Sequence, residues 1–338
     1  MKVFLAGDSL VQDYTSEEFI AGWGQYLGKF FDDTIEIVNM GKGGRSSRLF
    51  INEGRFDTIK QQISAGDYLF IEFCHNDDES KEYKTMFNRL VSLGAPDENG
   101  RYPVIHGEKV SKDYIPQEYI DCLMKDDSIA DKEAVIKSVK NMFAQYPGDT
   151  YYPYSPNGEK GSYKWFLKKY ADMALEKGAI PVFVTAPARA VFDENRHIKD
   201  GAGLHGGNNF CYIRAMKQLA EEMKLPLIDL FEYSKILFES IGKEKIYLLT
   251  SIKYGNNKGN WPKDFETELE KPETVSENTH MNKYGAFLLT RGIIELLIGS
   301  RSSQLEPLKQ HIIDDISVIR EKAPKGLKTQ VYFVRHGK

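Results

Sequence analysis

The chain of 338 residues contains only three cysteines, Cys74, Cys122 and Cys211, and they are widely spaced. This pattern fits neither a disulfide framework nor a zinc motif, so a reducing compartment is expected. The sequence also lacks an apolar run long enough to cross a bilayer. Its net charge of −4 provides no general attraction for nucleic acid or an anionic membrane. The composition is that of a globular protein.

Apolar runs alternate with helical patterns, which indicates a parallel sheet with helices on both faces. The strand candidates are largely continuous apolar runs, as expected for strands buried on both faces. They lie at residues 3–6, 35–40, 68–74, 180–185 and 227–230. Helices are predicted at residues 16–31, 54–64, 162–177, 209–224 and 282–298. The sequence therefore predicts an α/β fold with a mainly parallel, five-stranded sheet.

The regular alternation is interrupted by irregular stretches. We interpret residues 1–298 as one domain that carries an insertion at about 78–161. Residues 299–338 are predicted to form a helical and strand extension that packs on this domain. The insertion and a second irregular stretch at 250–276 are expected to reach the rim of the sheet where open α/β folds bind ligands.

Ser9 is the first candidate for a chemical role. Gly7, Asp8 and Ser9 follow the first strand candidate directly. The hydroxyl is thus placed at the carboxyl end of a strand, the edge where such sheets carry their sites. A serine here also commonly caps the next helix, so this stretch alone leaves both roles open.

A candidate base lies far along the chain, where Glu277 precedes His280 by three residues. The acid can fold back and hold one ring nitrogen while the other nitrogen accepts the serine proton. The alternative is an ordinary helix start, with Asn278 or Thr279 as the cap and His280 on the surface.

Two further loops supply hydrogen-bond donors. Gly43 and Gly44 follow the second strand candidate, and Asn76 follows the third. A glycine in a tight turn can turn its N–H toward a ligand, and an asparagine amide adds a second donor. Acyl transfer requires such donors where the tetrahedral oxyanion forms. Four loops together therefore predict a nucleophile, a base and an oxyanion site.

These residues resemble the four sequence blocks of the SGNH, or GDSL, hydrolase superfamily. The blocks are Gly7-Asp8-Ser9-Leu10, Gly44, Asn76 and the pair Glu277 and His280. More narrowly, the chain is similar to the rhamnogalacturonan acetylesterase family in the stretches 43–47, 75–77, 163–170, 178–189, 226–230 and 279–285. The resemblance covers residues 1–78 and 161–298.

The resemblance implies a three-layer α/β/α sandwich of flavodoxin-like type and a reaction without metal or other cofactor. It implies Ser9 as the nucleophile, His280 as the general base and acid, and Glu277 as the residue that orients His280. The N–H groups of Ser9 and Gly44 and the amide of Asn76 would form the oxyanion hole.

The chain departs from the family at two positions. The family usually has aspartate where Glu277 stands and glycine where Cys74 stands. A glutamate is one methylene longer, and it fills the orienting role in other Ser-His-acid hydrolases. We interpret Cys74 as a buried packing residue.

Several other side chains are candidate substrate contacts on the sequence alone: Asp8, Arg45, His75, Arg189, Trp261 and the tyrosines Tyr151, Tyr152 and Tyr154. The aromatic rings among them are of the type that stacks on sugar faces. Trp23 and Trp165 lie in helical patterns and are expected in the core.

The sequence thus predicts a serine esterase that removes O-acetyl groups from a pectic or rhamnogalacturonan-type oligosaccharide. Two alternatives stay open: a lipid or thioester hydrolase of the same superfamily, and a carbohydrate-binding protein with a degenerate site. The expected partner is the acetylated oligosaccharide, with no nucleic acid and no membrane. A cytoplasmic location is expected because Met1 and Lys2 lead directly into the first strand, although a trimmed secreted chain would begin in the same way.

Overall fold

The computed structural model describes residues 1–15, 19–79, 87–124, 132–199, 211–252 and 276–313, together with Pro324. The strands are β1 (Lys2–Gly7), β2 (Glu36–Asn39), β3 (Tyr68–Glu72), β4 (Val110–Ser111), β5 (Thr150–Tyr151), β6 (Ile180–Val184), β7 (Leu227–Ile228), β8 (Thr250–Ile252) and β9 (Ser276–Met281). The helices are α1 (Gly24–Leu27), α2 (Ser47–Asn52), α3 (Arg55–Gln62), α4 (Gln117–Met124), α5 (Lys132–Ala144), α6 (Tyr163–Glu176), α7 (Cys211–Met223), α8 (Leu230–Ile241), α9 (Lys283–Gly299) and α10 (Glu306–Lys309). Short 3₁₀ turns cover Gly28–Phe30, Pro156–Gly158, Ile246–Leu248 and Ser303–Leu305.

The central sheet is parallel throughout and has the strand order β2-β1-β3-β6-β7. Its inner strands are almost entirely buried, because helices cover both faces. From β1 the chain adds β2 at one side of the sheet, and it then adds β3, β6 and β7 in turn at the other side. The loops after β1 and β3 therefore meet at the point where the strand order reverses, which is where open α/β sheets bind ligands.

The helices form one layer on each face of the sheet. On one face α6 packs against β3 and β6 and is flanked by α2, α3 and α7. On the other face α9 packs against β7 and is flanked by α1 and α8. This is the three-layer α/β/α sandwich that the sequence predicts.

The segment between β3 and α6 builds a small second core. It carries α4, α5 and the antiparallel pair β4–β5, and its apolar side chains cluster apart from the main core. The cluster consists of Leu49, Phe87, Tyr119, Val139, Phe143, Tyr146 and Tyr151. Because Leu49 belongs to α2, the segment packs directly on the helix that follows the Gly43–Gly44 loop.

Arg48 fixes this segment to the main domain. Its side chain is 1% exposed, and its guanidinium donates to the backbone carbonyls of Phe87, Asn88, Leu90 and Tyr152. A buried cation needs such partners to offset the loss of hydration. The two ends of the insertion are thus held at one point on α2.

The described part of the C-terminal segment lies on the main core. Leu305 and Leu308 are fully buried in it, and Ile312 pairs with Phe31. The stretch that follows, apart from Pro324, lies outside the described residues. Within the described ranges, no helix has the length and apolarity needed to cross a membrane.

Three elements differ from the sequence prediction. Of the helix expected at 16–31, the described residues 19–31 form only α1 and one 3₁₀ turn, because Ala21 donates its N–H to the carbonyl of Met281 and so pairs with β9. The strand expected at 227–230 ends at Ile228, where Asp229 caps the unpredicted helix α8. Residues 276–281, expected as a loop, form a strand paired with β8.

Candidate active site

Ser9 lies in a tight turn immediately after β1. The Asp8 carbonyl accepts from the N–H groups of Val11 and Gln12, and the Tyr14 hydroxyl donates to the Ser9 carbonyl at 3.0 Å. The turn needs glycine at position 7, because a Cβ there would lie 2.3 Å from the Val11 side chain and 2.9 Å from the Glu72 carbonyl. These contacts fix the backbone of Ser9 at the carboxyl edge of the sheet.

His280 reaches this edge from strand β9. The strand is held on one side by β8 and on the other by the bridge from Ala21 to Met281. Directly after it, Asn282 caps α9 by accepting from the N–H groups of Tyr284 and Gly285. The backbone of His280 is therefore fixed by the pairing of β9 on one side and by the capped start of α9 on the other.

Ser9 and His280, which are 271 residues apart in the sequence, form a direct hydrogen bond. The distance from Ser9 Oγ to His280 Nε2 is 2.9 Å, and both side chains are largely shielded. In the tautomer that carries its proton on Nδ1, Nε2 accepts the hydroxyl proton. This is the nucleophile–base contact that serine hydrolysis requires, and Ser9 does not cap a helix.

Two backbone donors lie beside this pair. Gly44 has φ +79°, a left-handed conformation that glycine adopts without strain. A Cβ on the neighbouring Gly43 would lie 3.5 Å from Ser9 Cβ, so this loop lies against the serine. Among the described residues, the N–H groups of Ser9 and Gly44 have no hydrogen-bond acceptor. Both are thus available to a developing oxyanion.

The amide of Asn76 is held at both ends. Its Nδ2 donates to Asp8 Oδ2 at 3.0 Å, and its Oδ1 accepts from Arg89 Nη1 at 3.4 Å. The anchor is firm because Asp8 also accepts from the Leu10 N–H at 2.9 Å. An amide nitrogen carries two hydrogens, so the second one remains for a substrate oxygen.

Buried acids lie beneath the loops after β1 and β3. Glu72 is fully buried, and neither carboxyl oxygen has a hydrogen-bond partner among the described residues. Burial, reinforced by the charges of Asp8 and Asp77, raises the pKa of Glu72 well above its usual value. Burial likewise raises the pKa of Asp77 to about 8, although Ser47 donates to it. Both effects, burial and the neighbouring charges, favour the protonated form of Glu72.

Cys74 is fully buried between the same acids. Burial, followed by the charges of Asp77 and Asp78, raises the pKa of its thiol well above the usual value. The thiolate form is thus strongly disfavoured. This agrees with the interpretation of Cys74 as a packing residue.

The structure corrects four of the predicted substrate contacts. Asp8 is fully buried and positions Asn76, so it does not line the cleft. His75 is 3% exposed, and its Nε2 lies 3.1 Å from the carbonyl of Pro187. Tyr151 and Tyr152 are buried by packing in the two cores and cannot stack on a ligand.

The remaining candidates have different placements. Arg45 is half-buried, and its guanidinium binds Glu53 and the Gly43 carbonyl. Arg189 is half-buried at the edge that carries β9, since the next residue donates its N–H to the carbonyl of Asn278. Glu277 belongs to β9, but its side chain lies outside the described residues, as does Trp261.

Arg89 is a site residue that the sequence interpretation missed. Its guanidinium contacts Asn76, and a Cβ on Gly44 would lie 3.1 Å from Arg89 Nη2. It belongs to the insertion, and no local motif marks it. Only the contact between the insertion and α2 brings it to the site.

Within the described ranges, no group of three or more His, Cys, Asp or Glu side chains is arranged to hold a metal ion. The groups at the Ser9 site are a hydroxyl, an imidazole and N–H donors, which are the groups that acyl transfer uses.

Comparisons with known proteins agree with this chemistry. No family model matches the chain. Rhamnogalacturonan acetylesterase RhgT of Bacillus subtilis is 30% identical over 318 residues, which cover 93% of this chain and 94% of the relative. The probable rhamnogalacturonan acetylesterase YesY of the same organism is 28% identical, over 87% of this chain and 93% of the relative.

A solved structure shows the same fold. The crystal structure of YxiM from Bacillus subtilis matches with a TM-score of 0.52 and 22% identity over 88% of this chain, which spans 56% of that structure. The identity and coverage of the curated relatives establish the family. The chain belongs to the rhamnogalacturonan acetylesterase family, and it is a carboxylic ester hydrolase.

Proposed function

We propose that this protein removes O-acetyl groups from a pectic, rhamnogalacturonan-type oligosaccharide through an acyl-enzyme on Ser9. The observation that carries the proposal is the 2.9 Å contact between Ser9 Oγ and His280 Nε2 beside the Gly44 N–H and the Asn76 amide. The names of the relatives support the acetylated substrate.

In the first half-reaction the Ser9 hydroxyl transfers its proton to His280 Nε2, and Oγ attacks the acetyl carbonyl carbon. The carbonyl oxygen becomes an oxyanion that accepts from the N–H groups of Ser9 and Gly44 and from Asn76 Nδ2. The tetrahedral intermediate then expels the sugar oxygen, which takes the proton from His280. Ser9 is left as an acetyl ester.

In the second half-reaction a water molecule gives one proton to His280 Nε2 and attacks the acetyl carbon. The same donors stabilise the second oxyanion. Acetate leaves as the Ser9 oxygen recovers its proton from His280. In this scheme the carboxylate of Glu277 holds the other ring nitrogen of His280, as the acid does in related triads.

The surroundings of the oxyanion loop favour a polar substrate. Arg45 directly follows Gly44 and pairs with Glu53, which also contacts Arg55. Arg89 contacts Asn76. A groove for a long acyl chain would require apolar walls at this position, because burying charged groups against hydrocarbon is costly. This charge distribution supports a carbohydrate ester over a lipid ester.

The test is acetate release from acetylated pectic oligosaccharides, together with hydrolysis of p-nitrophenyl esters of increasing acyl length. Wild type, Ser9→Ala, His280→Ala and the control Ser303→Ala, which alters an exposed serine, are compared. Removing a triad member lowers kcat by about 10⁴-fold or more in comparable enzymes. We expect losses of this size in the first two variants and none in the control.

Each outcome decides between the functions. Preferential release of acetate by wild type supports the proposal, whereas rates that rise with acyl length would indicate a lipid or thioester hydrolase. Binding of the oligosaccharide without turnover of any ester by well-folded wild type would indicate a binding protein.

A further inference from the structure

A pocket of about 380 Å³ opens beside the oxyanion loop, between α2, α3 and the insertion. Its polar lining includes Arg45, Glu53, Arg55, Asn88, Gln145 and Tyr146. Leu49 and Met142 are among its apolar walls. We call it the Arg45–Arg55 pocket.

The pocket adjoins the Ser9 site through two short links. Arg45 directly follows Gly44, and its Nη1 donates to the Gly43 carbonyl at 2.8 Å. Asn88 directly precedes Arg89, which contacts Asn76. An acetylated sugar at Ser9 that is part of a chain would therefore bring a neighbouring sugar toward the pocket.

The pocket carries a surplus of positive charge. Arg45 binds Glu53 through two parallel contacts of 2.9 and 2.8 Å, and Arg55 Nε lies 3.3 Å from the same carboxylate. Two guanidinium groups thus share one carboxylate. All three side chains are between 22% and 30% exposed, so a ligand can reach them. Guanidinium groups bind carboxylates with short, charge-assisted hydrogen bonds.

A buried hydroxyl adds a second, independent sign of a ligand. Tyr146 is 5% exposed, and its hydroxyl has no hydrogen-bond partner among the described residues. Tyr146 lines the same pocket as Arg45 and Glu53. An unsatisfied buried polar group is destabilising, and a ligand oxygen would satisfy it.

We propose that the Arg45–Arg55 pocket binds the carboxylate of a uronic acid residue that neighbours the acetylated sugar. The inference rests on the proposed function and names the charged part of its substrate. In this proposal Arg55 and Arg45 attract the uronate carboxylate, and the Tyr146 hydroxyl donates a hydrogen bond to it. The amides of Asn88 and Gln145 face the sugar hydroxyls.

The first test compares acetylated oligogalacturonides with a neutral acetylated oligosaccharide for wild type, Arg55→Gln, Arg55→Lys and the control Lys60→Gln. Lys60 is an exposed cation on the same helix. Loss of one charge-assisted contact is expected to lower the acidic-to-neutral ratio of kcat/KM about tenfold in Arg55→Gln. Arg55→Lys should recover part of the ratio, and Lys60→Gln should match wild type. An unchanged ratio in Arg55→Gln overturns the subsite.

A second variant separates binding from folding. Tyr146→Phe removes a buried hydroxyl that has no partner, so the free energy of unfolding should stay the same or rise. The ratio of kcat/KM for acidic over neutral substrate should nevertheless fall. A fall in stability with no change in this ratio would assign the hydroxyl a structural role only and contradict the proposal.

Direct binding keeps this test independent of turnover. Trigalacturonate, which carries no acetyl group, is titrated calorimetrically into wild type and Arg55→Gln, with galactotriose as the neutral probe. We expect wild type to bind trigalacturonate more tightly than galactotriose and Arg55→Gln to lose about tenfold in affinity for it. Equal binding of both sugars by wild type overturns the subsite. If trigalacturonate binds as expected but no ester is hydrolysed, the proposed function fails and the subsite stands.

Discussion

Arg89 shows how a residue outside every recognisable motif can belong to a catalytic site. It lies between Asn88 and Leu90, whose carbonyls both accept from the buried Arg48. This anchorage places the Arg89 guanidinium 3.4 Å from Asn76 Oδ1. Together with Asp8 on the other side, it fixes the orientation of the Asn76 amide, a donor of the proposed oxyanion hole.

Replacing Arg89 by methionine should lower kcat for p-nitrophenyl acetate about tenfold, a smaller loss than the 10²–10³ typical of deleting the donor itself. KM should change little, since a small neutral ester makes no charge contact. Arg89→Lys should be intermediate, and Arg101→Met, in an exposed ion pair, is the control. An effect on KM alone would show that Arg89 binds substrate and does not position Asn76.

Asp77 connects the site to the pH dependence of stability. Burial raises its pKa to about 8, so between the ordinary value of 3.8 and that value the folded protein holds a proton that the unfolded chain releases. The stabilisation that protonated Asp77 contributes is therefore complete at pH values below its pKa in the unfolded chain. It is lost as the pH rises toward 8. The slope for one such proton is at most about 1.4 kcal/mol per pH unit.

Asp77→Asn should remove this contribution to the slope. The free energy of unfolding, measured by denaturant titration between about pH 5 and about pH 8, should fall with pH more steeply for wild type than for the variant. Asp33→Asn removes an exposed carboxyl and serves as the control. Parallel curves for wild type and Asp77→Asn would contradict the assignment.

For single residues, the sequence predicts a catalytic role where a reactive side chain stands at an unusual position, such as Ser9 after a strand and His280 before a helix. It misassigns Asp8 and His75, because their burial depends on how the loops after β1, β3 and β6 pack. It also misses Glu72, whose raised pKa arises from burial and from neighbouring acids that only the fold brings together.

Among the elements, strand β9 and helix α9 act as one unit. Asn282 joins them: its Oδ1 caps α9, and its Nδ2 donates to the carbonyls of Leu248 and Thr250 at 3.0 and 3.1 Å. The side chain therefore fixes the exit of β9, two residues after His280.

Asn282→Ala should lower the free energy of unfolding by about 2–4 kcal/mol, since it removes a helix cap and leaves two buried carbonyls without donors. It should also lower kcat, because His280 loses its support. Asn282→Ser keeps a capping oxygen and should lose less stability. Denaturant unfolding and p-nitrophenyl acetate kinetics measure both effects, and a fully active, fully stable Asn282→Ala would contradict this role.

The sequence predicts elements well where the signal is local. The strands of the central sheet are continuous apolar runs, and α9 combines a capping asparagine with a long apolar stretch. It fails where pairing is distant: β9 is a strand because it meets β8 and Ala21, which a helical pattern around residues 16–31 does not reveal.

Across the whole molecule, two additions stabilise the sandwich, and the insertion also shapes its rim. The insertion brings its own core and one wall of the Arg45–Arg55 pocket. The C-terminal segment buries Leu305 and Leu308 in the main core, and the backbone of His311 and Ile313 bonds to that of Asp32 and Phe30. Such contacts depend on tertiary packing, so sequence patterns predict the segments but not their partners.

Leu308→Ala should lower the free energy of unfolding by about 2–5 kcal/mol, the usual cost of a cavity in a packed core. Gln310→Ala, an exposed neighbour, should change it by less than about 0.5 kcal/mol. Because the segment lies away from Ser9, kcat of the folded Leu308→Ala variant should match wild type. Equal stability of the two variants would show that the segment is dispensable to the fold.

The central claim is that Ser9 is a nucleophile activated by His280. It is tested most directly by mass spectrometry of the peptides after reaction with diethyl p-nitrophenyl phosphate, which leaves a stable diethylphosphoryl ester on an activated serine. We expect a single adduct, on Ser9, formed together with loss of esterase activity and formed far more slowly in His280→Ala. An adduct on another residue, or inactivation of Ser9→Ala by the same reagent, would contradict the account.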